Sequence, residues 1–220
     1  MRRESDGENR RLREEMVRTQ IASRGIDDPL VLRAMREVPR ELMVRPEDIR
    51  YAFHDGPLSI GHGQTISQPY IVAYMTQELG LRPADRVLEI GTGCGYQTAV
   101  LAEIAAEVYT VEVVPELAEQ ARERLGSLGY ANISFHVGDG TRGWPEHAPY
   151  DAIIVTAAPE SVPEALKEQL ADGGRLVLPV GAAMQHLVRI ARRGDRFDEE
   201  LLIAVRFVPL VGGPRRGGEE

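Results

Sequence analysis

The sequence predicts an α/β fold: a doubly wound, mostly parallel sheet, preceded by a helical extension and followed by an antiparallel hairpin. Three observations carry this. From Arg86 onward, short β-branched apolar runs alternate with helix-like segments, the pattern of parallel strands joined by helical crossovers. Ahead of that point the first apolar periodicity is helical, and after Gly181 two apolar runs flank a polar turn. With 220 residues, 43% of them hydrophobic and 27% charged, the chain is long enough to bury one core and has the composition of a folded protein.

The elements follow in order. Arg10 to Ser23 places Leu12, Met16, Val17 and Ile21 on one helical face and is stopped by Gly25. Asp28-Pro29 supplies a cap and a first-turn proline for a second helix. From Pro39 to Pro69 the periodicity fails, with prolines and glycines scattered through an irregular segment that reads as functional or disordered. The expected strands are Val87 to Ile90, Glu107 to Val111, Ile133 to Val137, Ala152 to Val155 and Leu176 to Pro179. A helix over Pro115 to Leu128 begins with a proline and ends before Gly129, and Ser161-Val162-Pro163-Glu164 has capping-box spacing ahead of Ala165 to Leu170. His186 to Ala191 and Leu202 to Val208 form the expected hairpin around a polar turn at Arg193 to Glu199. The organisation is therefore a helical segment and loop over 1–80, an α/β core over 81–211 and a mobile tail over 212–220, together one structural domain.

Charge and composition exclude several classes of function. A net charge of −8 disfavours a general grip on nucleic-acid phosphates. No apolar stretch approaches the roughly 18 residues of a membrane span, and residues 1–15 carry five Arg and five acidic residues in place of an apolar signal segment. The expected partners therefore include neither nucleic acid nor membrane. Of the 26 basic residues only Lys167 is a lysine, a bias that points to no reaction. The lone Cys94 leaves no internal disulfide, so the expected compartment is the cytoplasm. No His/Asp/Glu cluster has metal-ligand spacing, and no metal is expected.

The chemistry begins at the first strand, where Val87-Leu88-Glu89-Ile90 runs into Gly91-Thr92-Gly93-Cys94-Gly95 and a helix can start near Tyr96. In doubly wound sheets ligands bind beyond the carboxyl ends of strands, where glycines let the backbone approach them closely. Glu112 closes the second strand 21 positions after Gly91, about the spacing at which an acid meets ribose hydroxyls, and Asp139-Gly140 closes the third. Acids at successive strand ends favour a nucleoside pocket over a bare turn. The G-x-G-x-G spacing is one residue shorter than the dinucleotide fingerprint, and no Lys follows it, so a pyrophosphate is not expected. S-adenosylmethionine fits this pattern. Glu89 lies either near its positive end or beneath the glycine loop as a structural acid.

In the irregular segment, Leu58 to Tyr70 concentrates His62, Gln64, Thr65, Ser59 and Ser67 between glycines. By composition alone it reads first as a capped loop, with Ser67 as the N-cap of a helix from Pro69. At this segment the chain resembles the protein-L-isoaspartate O-methyltransferases. The run Gly61 to Tyr70, with its Gly-Gln-Thr-Ile-Ser core, is similar to that family's signature, and Val87 to Tyr96, Tyr150 to Pro159 and Arg206 to Leu210 are similar to its other motifs in the same order. The likeness spans about residues 10–211. It implies a Rossmann-like methyltransferase fold and repair of isoaspartyl and D-aspartyl residues by methylation of their free carboxyl group, with S-adenosylmethionine released as S-adenosylhomocysteine. It implies Ser67 as the active-site residue, and a site around the donor built from Gln64, Thr65, Ile66, Ser67, Glu89, Gly91, Gly93, Glu112, Asp139 and Gly140. Substrates would be isoaspartyl-containing proteins and peptides, met by a monomer.

An isoaspartyl carboxylate, with a pKa of roughly 4, is already ionised at neutral pH, so its methylation needs alignment and no general base. Ser67 is then an orienting hydrogen-bond donor. It is not a nucleophile, because no Gly-x-Ser-x-Gly elbow surrounds it. The alternative within enzymes is methylation of an amine or small molecule, disfavoured by Thr156-Ala157-Ala158-Pro159 where an Asn/Asp-Pro-Pro-aromatic turn is common. Outside enzymes, the alternative is a silent nucleoside-binding scaffold, against which stand the intact Gln64 to Ser67 segment and the strand-end acids.

Overall fold

The computed structural model describes residues 2–212, with side chains from Gly7 onward. Its centre is a seven-stranded sheet in the order β5-β4-β3-β6-β7-β8-β9, formed by β3 (Arg86–Ile90), β4 (Glu107–Glu112), β5 (Ile133–Val137), β6 (Tyr150–Val155), β7 (Leu170–Val180), β8 (Gln185–Arg193) and β9 (Arg196–Val205). Strands β5, β4, β3, β6 and β7 run parallel, and β7, β8 and β9 pair antiparallel. The Rossmann-like sheet and the C-terminal hairpin are thus present. Strand order reverses direction between β3 and β6, and it is at such a switch point that ligands sit in open α/β sheets.

Alternation along the strands divides the core between the two faces of the sheet. Val87, Val108, Ala152, Ile154 and Val177 pack on one face with the N-terminal helices, while Leu88, Ile90, Val111, Ile153, Val155 and Leu176 pack on the other. Helices α1 (Arg2–Met16) and α2 (Pro29–Glu37) join the first of these clusters, along with α3 (Pro69–Leu79) and α4 (Tyr96–Ala102). At the start of α2, Asp28 caps with its side chain, accepting from Leu30 N at 2.8 Å, and Pro29 follows in the first turn. Helix α5 (Pro115–Ser127) lies between β4 and β5, and the short α6 (Glu164–Glu168) precedes β7.

Five details differ from the sequence reading, each for a local reason. The first helix begins at Arg2, well before Arg10, and continues past Met16 through a π turn and a 3₁₀ turn to Gly25, whose φ of 92° ends it. Its opening residues are too polar to show apolar periodicity. The irregular segment contains a hairpin, β1 (Leu58–Gly61) and β2 (Gln64–Ile66), turned by Gly61, His62 and Gly63, all at positive φ. Strands of four and three residues are too short to display alternation. Helix α3 takes Gln68, not Ser67, as its N-cap and has no side-chain cap bond. The box at Ser161 does not form, because Pro163 occupies the N-cap and leaves the serine outside the helix. Finally, β8 and β9 meet around Gly194 and Asp195 in a tighter turn than expected. Residues Arg196 to Glu199, expected as part of the turn, belong to the edge strand β9, whose charged side chains guard an unpaired edge. Of the expected mobile tail, 213–220 lies outside the described residues.

Candidate active site

A pocket opens at the carboxyl ends of β3, β4 and β6, over the switch point. Its first wall is the turn after β3. Gly91, Gly93 and Gly95 have φ of 98°, 53° and 87°, a region that side chains strain to enter. At Gly91 a Cβ would lie 2.3 Å from Thr156 Oγ1, so the glycine is required twice, by conformation and by space. Thr156 donates to the Gly91 carbonyl at 2.8 Å, tying the end of β6 to the turn. Glu112 holds the same turn from β4: one carboxylate oxygen accepts from Gly93 N at 2.8 Å, the other from Val113 N at 2.9 Å and Val114 N at 3.0 Å. The oxygen bonded to Gly93 keeps acceptor capacity for a ligand hydroxyl.

Beneath this wall lies Glu89, fully buried on β3 and outside the pocket lining. One of its oxygens accepts from Thr98 at 2.5 Å and from Thr110 at 2.7 Å. Thr110 spends its proton on Glu89, so Thr92, 2.6 Å away, donates to Thr110, and the chain of hydroxyls reaches the pocket surface at Thr92. The other Glu89 oxygen has no hydrogen-bond partner. Burial pushes this carboxyl up to about 8, against the opposing pull of the two threonine hydroxyls.

The second wall is the hairpin. Gln64, Thr65, Ile66 and Ser67 all line the pocket. Ser67 is fixed through its backbone, whose carbonyl accepts from Arg40 Nη2 at 2.8 Å. The next residue, Gln68, donates to the Asp55 carboxylate at 2.8 Å, and Arg24 pairs with the same carboxylate. A third side comes from the C-terminus, where Leu210 N donates to the Ala158 carbonyl and Ala158 N to the Val208 carbonyl, both at 2.8 Å. This brings Val208, Pro209, Leu210 and Val211 to the pocket.

The structure therefore brings together Gln64, Thr65, Ile66, Ser67, Gly91, Gly93, Glu112 and Gly140 around one opening. Glu89 and Asp139 stand behind it. Asp139 accepts from Thr141 N at 2.9 Å and caps the turn that presents Gly140. At Gly140 a Cβ would meet Ile90 Cγ2 at 2.3 Å, so that turn packs directly on β3. Among the residues that sequence reasoning did not place at the site are Thr92, Tyr96, Gln97 and Thr156, together with the buried Arg40. Thr156 lies in a segment whose likeness to a family motif was visible; Arg40 had no local signal. Among the described residues no group of three or more His, Cys, Asp or Glu is arranged to hold a metal, and no helix is long and apolar enough to cross a membrane.

Comparison with known proteins converges on one family. A family model described as protein-L-isoaspartate(D-aspartate) O-methyltransferase matches residues 10–215. The protein-L-isoaspartate O-methyltransferase of Picosynechococcus sp. is 59% identical over 91% of this chain and 90% of its own length. That of Methanoculleus marisnigri is 56% identical over 92% and 93%. A solved protein-L-isoaspartate O-methyltransferase superposes with a TM-score of 0.84 at 31% identity, covering 92% of this chain and 67% of that one. A Plasmodium falciparum structure titled as this methyltransferase, in complex with S-adenosyl-L-homocysteine, gives a TM-score of 0.79 at 26% identity over 90% and 98%.

Proposed function

The chain belongs to the protein-L-isoaspartate(D-aspartate) O-methyltransferase family, and from that premise we propose how its pocket divides the work. It is an S-adenosylmethionine-dependent enzyme that methylates the free carboxyl group of isoaspartyl residues in damaged proteins and peptides. The glycine turn with Glu112 and Gly140 holds the donor, Asp139 supports Gly140 from behind, and the Gln64 to Ser67 segment receives the acceptor while bordering the donor. One observation carries this division: the glycine turn and the Gln64 to Ser67 segment line the same opening.

The residues fit the donor. Glycines free of Cβ atoms form the turn, and the Glu112 carboxylate has an unfilled acceptor position beside Gly93. When bound, S-adenosylmethionine supplies a methyl group made electrophilic by its sulfonium. Glu112 would accept from the ribose, and Gly91 and Gly93 let the chain come close. Glu89 supports the turn from below through Thr98, Thr110 and Thr92. On the acceptor side, the Ser67 hydroxyl donates to the carboxylate and orients it. Because that carboxylate is already ionised, no residue need remove a proton and no metal is called for. Alignment is the enzyme's main contribution, for which positioning supplies on the order of 7 to 11 kcal/mol. The backbone nitrogen of the following residue then attacks the ester carbonyl, expelling methanol and closing a succinimide without further catalysis. Action as a monomer is supported by both walls coming from one chain, and cytoplasmic placement by the buried, unpaired Cys94.

The direct test offers labelled S-adenosylmethionine with an isoaspartyl peptide and with its aspartyl twin. Label should enter the first alone, as a base-labile ester. Equal transfer to both, or transfer to an amine, would sink the reading.

A further inference from the structure

Arg40 is among the largest fully buried side chains of the described residues, and the reaction as described leaves it unused. It sits in a 3₁₀ turn, Arg40–Leu42, ahead of the hairpin. Its Nε donates to the Ala52 carbonyl at 2.7 Å and its Nη2 to the Ser67 carbonyl at 2.8 Å, while the guanidinium carbon stands 4.7 Å from the centre of the Tyr96 ring. Its Nη1 has no partner. Buried charges are normally matched by a counter-ion, because a charge stripped of water is otherwise costly. Among the described residues no carboxylate pairs with Arg40. The adjacent Glu41 is paired with Arg13, at 3.9 Å. Burial accordingly lowers the pKa of Arg40, with the Tyr96 and Cys94 side chains opposing it only in part.

The location of this unmatched charge is informative. Ser67, Tyr96 and Cys94, the groups around Arg40, all line the pocket. The pocket therefore has a buried cation against its Ser67 and Tyr96 lining as well as the Glu112 carboxylate. We propose that Arg40 is a positioning residue for the acceptor: it pins the Ser67 backbone and, from its bond to the Ser67 carbonyl, supplies the positive charge that makes this part of the pocket prefer a carboxylate to its neutral amide. This rests on Ser67 facing the acceptor, as read above. The substrate carboxylate is then the counter-ion that the folded chain lacks.

The test uses the full chain with Arg40→Gln, which keeps a donor for the Ser67 carbonyl without the charge, and Arg40→Lys, which keeps the charge. Two probes are compared: an isoaspartyl peptide as substrate, and the same peptide with that carboxyl as carboxamide, as a competitive inhibitor. Arg40→Gln should raise KM for the isoaspartyl peptide by about tenfold, the scale of one charge acting across several ångströms at a partly buried site. The carboxamide Ki, the affinity for S-adenosylmethionine and kcat should each stay within about twofold. Arg40→Lys should keep most of the wild-type preference for carboxylate over carboxamide. Equal losses for both peptides in Arg40→Gln would reduce Arg40 to a structural pin and overturn the charge assignment. A folded Arg40→Lys without the preference would overturn it as well, even if Arg40→Gln failed to fold. Failure of the acceptor reading looks different, because the wild-type enzyme would then bind the donor yet show no preference between the two peptides.

Discussion

The glycine turn over residues 91–95 and the hairpin of β1 and β2 both line one pocket, yet they are held in unlike ways. The turn is anchored by its own strands: Glu112 and Thr156, at the ends of β4 and β6, bind it directly, and Glu89, Thr98 and Thr110 fill the space below. Most of it is buried. The hairpin is partly exposed and its strands pair only with each other; it is held by Ile60 and Ile66 in the core and, just beyond it, by Arg40 on the Ser67 carbonyl and Asp55 on Gln68. The difference teaches that the donor side is a property of the sheet, whereas the acceptor side is an addition to it. Changes to the first should damage fold and donor binding together, and changes to the second should alter acceptor chemistry alone.

The largest expected effect follows from Gly91→Ala. The new Cβ would meet Thr156 Oγ1 at 2.3 Å in a backbone at φ 98°, so the turn must move. Donor binding should fall below detection by calorimetry, and the melting temperature should drop with it, since such a backbone strain costs about 1 to 3 kcal/mol. Normal donor affinity in this variant would break the picture of a turn fixed by its strands.

Next comes the buried acid. Glu89 ionises near 4.5 when unfolded and at about 8 when folded. Its folded value is the higher one, so its contribution is fully present below about pH 4.5 and is lost as pH rises through about 8, by up to about 1.4 kcal/mol per pH unit. Glu89→Gln should therefore lose less stability than the wild type between pH 5 and 8 in urea titrations. Identical slopes would mean that Glu89 is already ionised in the fold and that the foundation of the turn is not a protonated acid.

A smaller effect is expected from Glu112→Ala. Removing an ionised acceptor is worth roughly 1.5 to 3 kcal/mol, so donor affinity should fall at least about tenfold. The lost bonds to Gly93, Val113 and Val114 should also lower the melting temperature, which sharpens the contrast with the hairpin. An unchanged dissociation constant would remove Glu112 from the ribose position.

The same contrast explains what the sequence disclosed. The turn and the acids at the ends of β4 and β5 are legible because they follow directly on strands whose β-branched runs are unmistakable, so position along the chain is position in the site. Glu89 left two readings open because an acid on a strand does not announce which face it points to; the alternation that buries it against Thr98 exists only once α4 has packed. The hairpin was hidden by its brevity, and Ser67 was assigned as a cap or an active-site group only by alternatives that one hydrogen-bond donor cannot separate. Arg40 reaches Ser67 across 27 positions, a contact that no local pattern encodes.

The central claim, that the acceptor wall is separable from the fold and from the donor, is tested most directly by Ser67→Ala. Gln68 is the N-cap of α3 and makes no side-chain cap bond, so losing the Ser67 hydroxyl removes no helix cap. Melting temperature, S-adenosylmethionine affinity and single-turnover methylation of an isoaspartyl peptide should be measured on one preparation. Melting and donor affinity should match the wild type while the single-turnover rate falls about threefold to tenfold, the worth of one orienting hydrogen bond. A full rate with a lowered melting temperature would contradict the account and return Ser67 to a purely structural role.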